Sequence, residues 1–439
     1  MPYIPHTAAD REAMLGVIGV ERIEELWREI PEDLRLKGEL NLPSARDENQ
    51  LFNYLLSLAN QNISAAKVDW YLGAGLYDRY IPATVGALIS RGEFLTAYTP
   101  YQPELSQGYL QTIYEFQSMV AELYGMDLAN ASMYDGSTAM AEAARMASAI
   151  TGKTRVSVSE AVHPNYREVL RTYAWASDLE VETLKQEGGA TVLDGASDTA
   201  CIIVQYPNFF GTIENLTAAR MAADSLGALL IVVADPVACA LLKPPGEYGA
   251  DIVVGEGQPM GVAMGFGGPL VGLFATKTEH IRRIPGRIVG LTQDAQNRPG
   301  YVMTLRTREQ DIRRDKATSN ICTNEALMAL AATIYMTALG KNGMQSVAES
   351  SVRNTQYAIE QFRAAGFPPA FNTKVFGEVA INVGQNAATV RDRLLDQGIM
   401  AGLPLGDYYP GMENFLLAAF TENRRKEQID RFVAALKHL

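Results

Sequence analysis

The 439-residue sequence has few of the residues that mark secreted, metal-binding or nucleic-acid-binding proteins. Its three cysteines, Cys201, Cys239 and Cys322, are widely spaced, and its four histidines are scattered. This usage matches no disulfide framework and no zinc or iron motif, so we expect no metal site and a reducing, cytoplasmic setting. Basic residues are also outnumbered: 38 Lys and Arg against 50 Asp and Glu give a net charge of −12. That balance argues against nucleic acid or an anionic membrane as a partner.

Long apolar runs and targeting signals are missing too. The N-terminal segment has neither the basic region nor the apolar core of a signal peptide. The longest apolar stretch, Ala326 to Leu339, is shorter than the ~20 residues that a membrane span needs. We therefore predict that this stretch is a buried helix and that the chain has no membrane partner.

Apolar strands alternate with helical patterns through the middle of the chain. The strands read as continuous Val, Ile and Leu runs, which is typical of strands covered on both faces. This alternation predicts an α/β protein with a doubly wound, mostly parallel sheet and a ligand site at the carboxyl ends of its strands. The predicted strands are 155–159, 200–205, 229–234, 251–254 and 270–275.

The two ends of the chain differ from this middle part. Helical periodicity in the first 65 residues, with a capping box at Thr7–Asp10, predicts an N-terminal helical arm that packs on the body or on a partner. Past Lys341, helices and two strands predict a small α+β domain. The expected divisions are 1–65 for the arm, 66–340 for the large domain and 341–439 for the small domain.

Several polar residues follow the predicted strands. The helix start Gly136-Ser137-Thr138 offers backbone N–H groups and hydroxyls that could hold a phosphate. His163 could stack on a flat cofactor ring, although a lone histidine is more often a satisfied polar group. Asp235 could pair with a cationic heterocycle, but a cap on the helix that begins at Pro236 is the favoured reading. A glycine-rich stretch, 255–268, lets backbone approach a ligand closely or forms a plain loop.

This order of features is that of pyridoxal-phosphate enzymes of the aspartate-aminotransferase fold, the fold type I transferases. Those enzymes carry a lysine shortly after the Asp strand, which forms the imine with the cofactor. Between Lys243 and Lys277 this chain has no lysine.

A proline-rich loop, 96–104, precedes the first long helix. Two prolines exclude a helix or a central strand, and they fix a loop that carries polar side chains suited to recognition. The alternative is an extended arm along the surface.

The chain closely resembles the P-protein family of the glycine cleavage system, glycine dehydrogenase (decarboxylating). Within that family it resembles subunit 1, the α chain of the two-subunit bacterial form. The resemblance covers essentially the whole length. Its most specific stretches are Thr96–Gly108, Ala129–Ala143, Lys243–Gly261, Gly265–Pro269 and Lys316–Leu327.

The resemblance implies a subunit without the cofactor lysine. The position of that lysine in the catalytic partner falls at Gln258, and a glutamine amide cannot form a Schiff base. Pyridoxal phosphate is then bound covalently by the partner, the β chain or subunit 2, in an α2β2 oxidoreductase. The complex decarboxylates glycine and passes the aminomethyl group to the lipoyl arm of the H-protein, whereas the isolated chain is inactive.

The resemblance also implies roles for single residues. The vestigial cofactor-site positions are Gly136, Ser137, Thr138, His163, Asp235 and Gln258. The candidates for a composite site with the partner are Tyr98, Thr99, Tyr101, Gln102, Glu104, Asn320 and Thr323. Two other functions remain open: a stand-alone pyridoxal-phosphate lyase or transferase that uses Lys277 or Lys316, and a purely structural pseudoenzyme subunit.

Overall fold

Residues 5–439 are described in the computed structural model, and their helices and strands follow the alternation expected from the sequence. The α-helices, α1 to α13 in chain order, span Ala8–Ile18, Glu48–Ala59, Ala83–Ile89, Gly92–Leu95, Gln107–Tyr124, Gly136–Thr151, Pro164–Ala176, Leu216–Ser225, Pro236–Cys239, Gln310–Arg313, Ala326–Ala364, Ala387–Leu395 and Lys426–Lys437. The strands, β1 to β16, span Asp69–Trp70, Leu128–Ala129, Arg155–Ser159, Glu180–Leu184, Gln186–Glu187, Ala190–Thr191, Cys201–Tyr206, Leu229–Ala234, Ile252–Glu256, Gly272–Thr276, Ile288–Gln293, Pro299–Thr304, Glu378–Asn382, Ile399–Met400, Leu403–Pro404 and Phe415–Ala419.

The central element is a seven-stranded sheet in the order β2-β10-β9-β8-β7-β3-β4. The five consecutive strands β9, β8, β7, β3 and β4 run parallel, whereas β10 runs antiparallel to both of its neighbours. Successive side chains of one strand enter different cores, since Ile202 and Val204 pack on one face and Cys201 and Ile203 on the other. Burial on both faces explains the continuous apolar runs, and the prediction of a doubly wound, mostly parallel sheet is confirmed.

Two compact units divide the chain, one ending at Ile63 and the other running from Ser64 to Leu439. In the first unit, the predicted capping box is confirmed. The Thr7 hydroxyl accepts a hydrogen bond from the Asp10 N–H at 3.2 Å, and the Asp10 carboxylate accepts one from the Thr7 N–H at 2.7 Å. None of the described side chains of this unit is buried. Part of the helical periodicity of the first 65 residues belongs to a 3₁₀ turn, Ile23–Trp27, and not to an α-helix.

In the second unit, α11 carries the chain from the large sheet to the three-stranded sheet β13-β16-β15. Its backbone leaves the helical region at Gly340 (φ 60°, ψ −177°), where the sequence predicted the end of one helix and a domain division. That division stays a prediction, as does the arm boundary at residue 65. Within residues 5–439, no helix combines the length and apolarity that crossing a membrane requires.

Candidate functional site

The carboxyl ends of β3, β7, β8 and β9 surround a small cavity of about 50 Å³. His163 follows β3, Asp235 follows β8, and Gln258 follows β9, so the sheet brings together three of the predicted positions. Gly136, Ser137 and Thr138 lie at the start of α6, next to Glu256 at the end of β9. We refer to this place as the pocket.

His163 and Asp235 are both occupied by local contacts. The His163 Nδ1 accepts a hydrogen bond from the Asn165 N–H at 3.1 Å, so its Nε2 carries the proton and donates to the Ala74 carbonyl at 2.8 Å. Its ring stacks on Tyr166 with centroids 4.8 Å apart, and burial lowers the pKa of His163 to about 4. Asp235 caps α9 by accepting the Val237 N–H at 2.8 Å, which is the favoured structural reading of this residue.

Gln258 uses both ends of its amide to hold a neighbouring segment. Its Oε1 accepts the Tyr77 N–H at 2.9 Å, and its Nε2 donates to the Tyr77 carbonyl at 3.1 Å and to the Val262 carbonyl at 2.9 Å. The side chain is 2% exposed. An amide that donates and accepts at once suits this environment, whereas a lysine ammonium could only donate.

At the start of α6, carboxylates of the chain take donor groups of Gly136, Ser137 and Thr138. Glu256 Oε2 accepts the Gly136 N–H at 3.0 Å, and Asp135 accepts the Thr138 N–H at 2.7 Å and the Ser137 hydroxyl at 2.9 Å. The first turn of a helix attracts anions, and here two carboxylates of the chain itself satisfy it. Burial raises the pKa of Glu256 to about 7, against the opposing effect of its backbone hydrogen bonds.

The segment 74–77 closes the pocket from the side opposite the sheet. The Ala74 N–H donates to Glu378 Oε1, and the Tyr77 hydroxyl donates to Glu378 Oε2 at 2.8 Å. Glu378, at the start of β13, is 4% exposed, and burial raises its pKa to about 7. Together with the contacts to His163 and Gln258, these bonds fix the segment on the pocket.

The pocket does not fit pyridoxal phosphate. A ligand site for such a group has a volume of roughly 300–1,000 Å³, and this cavity has about 50 Å³. A Cβ added at Gly136 would lie 2.4 Å from the Tyr166 hydroxyl oxygen, so nothing more fits over the helix start. Asp135 and Glu256 would also repel a phosphate, and Gln258 offers no amine.

A second cluster lies around Arg287 and gathers three of the composite-site candidates. The Arg287 Nη1 donates to the hydroxyls of Thr323 at 3.0 Å and Thr99 at 3.3 Å, and its Nη2 donates to the Tyr101 hydroxyl at 3.3 Å and to the Cys322 carbonyl at 2.8 Å. Arg287 is 5% exposed. Its guanidinium therefore joins the loop 96–104 to the segment 320–323.

The other composite-site candidates point into solvent. Tyr98 is 82% exposed. Gln102, Glu104 and Asn320 are exposed as well. The loop 96–104 is therefore held by Arg287 and exposes polar side chains to solvent.

The two lysines considered for a stand-alone enzyme lie away from the pocket. Lys277 follows β10, whose antiparallel direction places it at the amino ends of the parallel strands, where its Nζ pairs with Asp251. Lys316 is exposed in a 3₁₀ turn. Neither position is at the edge of the sheet that carries His163 and Gln258.

Sequence reasoning missed Glu256, Glu378, Tyr77 and Arg287. Glu256 was read only as part of a glycine-rich stretch, although a carboxylate at the end of an apolar strand is a usable signal. The other three act through partners that are distant in sequence, for which a single sequence carries no local pattern.

The sheet order, the antiparallel β10 and a pocket at the carboxyl edge define the fold of the type I pyridoxal-phosphate-dependent enzymes. Alanine–glyoxylate aminotransferase from Nostoc sp. has the same fold, with a TM-score of 0.59 and 15% identity over 93% of this chain and 99% of that chain.

The family is shown by closer matches. The family model "Glycine cleavage system P-protein" matches residues 1–436. Probable glycine dehydrogenase (decarboxylating) subunit 1 of Geobacillus kaustophilus (strain HTA426) is 49% identical over 439 residues, covering 99% of this chain and 98% of that protein. The equivalent protein of Brevibacillus brevis (strain 47 / JCM 6285 / NBRC 100599) is 50% identical over 441 residues, with the same coverage.

A solved structure agrees with these matches. The crystal structure of glycine decarboxylase (P-protein) of the glycine cleavage system, in inhibitor-bound form, matches with a TM-score of 0.91 and 43% identity over 100% of both chains. This chain belongs to the P-protein family of the glycine cleavage system.

Proposed function

We propose that this chain is the subunit of a two-subunit glycine decarboxylase that does not carry the cofactor lysine. Its partner, subunit 2, holds pyridoxal phosphate covalently, and the complex decarboxylates glycine and transfers the aminomethyl group to the lipoyl arm of the H-protein. The observation that carries this proposal is the pocket, where Gln258 offers no amine and the carboxylates of Glu256 and Asp135 accept the backbone N–H groups at the start of α6. The family match supplies the reaction.

When bound, pyridoxal phosphate supplies an electron sink for the electron pair that stays on the substrate when carbon dioxide leaves. This chain contributes binding and orientation from the loop 96–104. Pro100 and Pro103 fix two φ angles, so the loop loses little entropy when it docks on the partner. Tyr98, Gln102 and Glu104 offer a hydroxyl, an amide and a carboxylate that can hold groups at the partner's site and exclude water from it.

The direct test uses the purified chain alone and together with subunit 2. We expect the chain alone to lack the absorbance of an enzyme-bound imine and to be inactive in glycine–bicarbonate exchange, because a glutamine cannot form an imine. The complex should show both the absorbance and the exchange. Imine absorbance and exchange by the isolated chain would instead support the stand-alone enzyme.

Loop variants separate a composite site from a purely structural subunit. We expect Tyr98→Phe and Gln102→Ala to lower turnover or cofactor affinity of the complex without changing its assembly, which is measured by analytical ultracentrifugation. Tyr80→Phe is the matched control, because Tyr80 is 64% exposed and lies outside the loop. If every loop variant keeps the turnover and the cofactor affinity of the wild type, the loop only packs at the interface and the subunit is purely structural.

A further inference from the structure

Three arginines meet at the open end of the β11–β12 hairpin. Ile288 pairs with Thr304 at that end; Arg287 precedes Ile288, and the 3₁₀ turn Arg306–Arg308 begins two residues after Thr304. The Tyr101 ring lies beside two of them, with its centroid 5.6 Å from the Arg287 Cζ and 5.2 Å from the Arg306 Cζ. A hairpin therefore concentrates positive charge beneath the loop 96–104.

The guanidinium groups of this cluster have unused donors. Among residues 5–439, the buried Nε atoms of Arg287, Arg306 and Arg308, and the Nη2 of Arg308, have no hydrogen-bond partner. A buried donor without a partner is destabilising, and more so when it belongs to a charged group. Four such atoms on three neighbouring side chains indicate that an acceptor belongs there.

The acidic residues nearby do not satisfy these donors. Asp311 pairs with Arg306 through its Nη2 at 2.7 Å and leaves the Nε unused. Glu309 lies among the three arginines, yet its buried Oε1 has no partner either, and burial raises its pKa. The cluster thus keeps an excess of positive charge and of donors.

We propose that the guanidinium groups of Arg287, Arg306 and Arg308 form an oxyanion-binding site that takes a phosphate or carboxylate group. Guanidinium groups bind both oxyanions through paired N–H donors, more strongly than neutral donors do. The Tyr101 hydroxyl, which Arg287 holds, places the loop next to the bound group. That the anion is the cofactor phosphate or the substrate carboxylate of the partner's site rests on the proposed function.

The test is calorimetric titration of the full chain, at constant ionic strength in chloride, with inorganic phosphate and, separately, with acetate. We expect one of the two to bind, and its identity distinguishes a phosphate from a carboxylate source. Arg306→Gln and Arg308→Gln should each weaken binding roughly tenfold or more, because each removes a charged donor. Glu309→Gln should strengthen it, since it removes a competing negative charge.

Arg282→Gln is the matched control, because Arg282 is an exposed arginine outside the cluster. Binding of neither anion would overturn the proposal, and so would binding that Arg306→Gln and Arg308→Gln leave at the wild-type affinity. Circular dichroism shows whether each variant is folded. If one arginine variant is not folded, the anion affinity of Glu309→Gln and competition by acetate still test the proposal. The titration needs no partner, so the two tests are independent. Absence of anion binding would not contradict the proposed function, and an inactive complex would not contradict the anion site.

Discussion

Replacement of Glu378 by glutamine should change how the stability of the chain depends on pH. Glu378 is buried under Ala74 and Tyr77, and this burial raises its pKa from 4.5 to about 7. Asp235 raises the pKa further, whereas the hydrogen bonds from Ala74 and Tyr77 and the charge of Arg79 lower it. At 1.36 kcal/mol per unit of pKa, the net rise corresponds to roughly 3 kcal/mol of free energy of unfolding.

The sign follows from which state holds the proton more tightly. With a raised pKa in the folded state, the stabilising contribution of Glu378 is fully present below pH 4.5 and is lost as the pH rises through 7. Glutamine stays neutral, so Glu378→Gln should gain about 3 kcal/mol relative to wild type between pH 5 and pH 8.5. The pKa values of Glu256 and His163 are also shifted in the folded chain, but both residues are common to the two proteins, so their contributions cancel in the difference.

Urea denaturation followed by circular dichroism, at half-unit steps from pH 5 to pH 8.5, measures this difference. Glu122→Gln is the control, because it removes an exposed carboxylate from α5 and should give a nearly constant difference. Carboxyl infrared bands provide a second readout, since wild type should lose the protonated carboxyl absorbance of both Glu256 and Glu378 near pH 7, whereas Glu378→Gln should lose that of Glu256 alone. A difference in unfolding free energy that stays flat over the whole range would refute the reasoning about burial.

Three further outcomes are expected. Gln258→Lys, alone or with Glu256→Gln, should not give imine absorbance with pyridoxal phosphate, because the cavity of about 50 Å³ stays closed; a stable imine in the single variant would contradict this. Tyr101→Phe should lower turnover of the complex roughly tenfold to a hundredfold, because losing a charge-assisted hydrogen bond raises the activation free energy by ~1.5–3 kcal/mol. Unchanged turnover would argue against a role of this hydroxyl. Gly246→Ala should destabilise the chain by about 1–3 kcal/mol, because its Cβ would lie 1.9 Å from the Gly125 carbonyl oxygen; Gly92→Ala, with open space, is the control, and equal stabilities would count against the packing argument.

The strands were the part of the fold that the sequence predicted best. Arg155–Ser159 and Leu229–Ala234 are predicted to the residue, because a strand buried on both faces is an unbroken apolar run. The antiparallel direction of β10 was not predicted, since direction depends on the pairing partner and not on local pattern. The hairpin β11–β12 was missed for a related reason: its strands are only partly buried and show no clear alternation.

The candidate site was predicted in its positions and not in its contacts. Gln258 follows β9 at the carboxyl edge, where the sequence predicts a ligand site, and the cap at Asp235 follows from the proline next to it. That Gln258 holds Tyr77, 181 positions away in the chain, could not be read from either residue alone. The same is true of Arg287, whose partners come from two segments that are distant in sequence.

The self-filled pocket constrains which side chain position 258 can hold. Gln258 accepts the Tyr77 N–H and donates to the Tyr77 carbonyl, while Glu378 accepts the Tyr77 hydroxyl and Glu256 accepts the Gly136 N–H. A lysine at position 258 could only donate, so it would leave the Tyr77 N–H without its acceptor, and both carboxylates would still be in place. Such a dependence among residues works as a ratchet: each single substitution costs stability at once, and only several together could open the pocket.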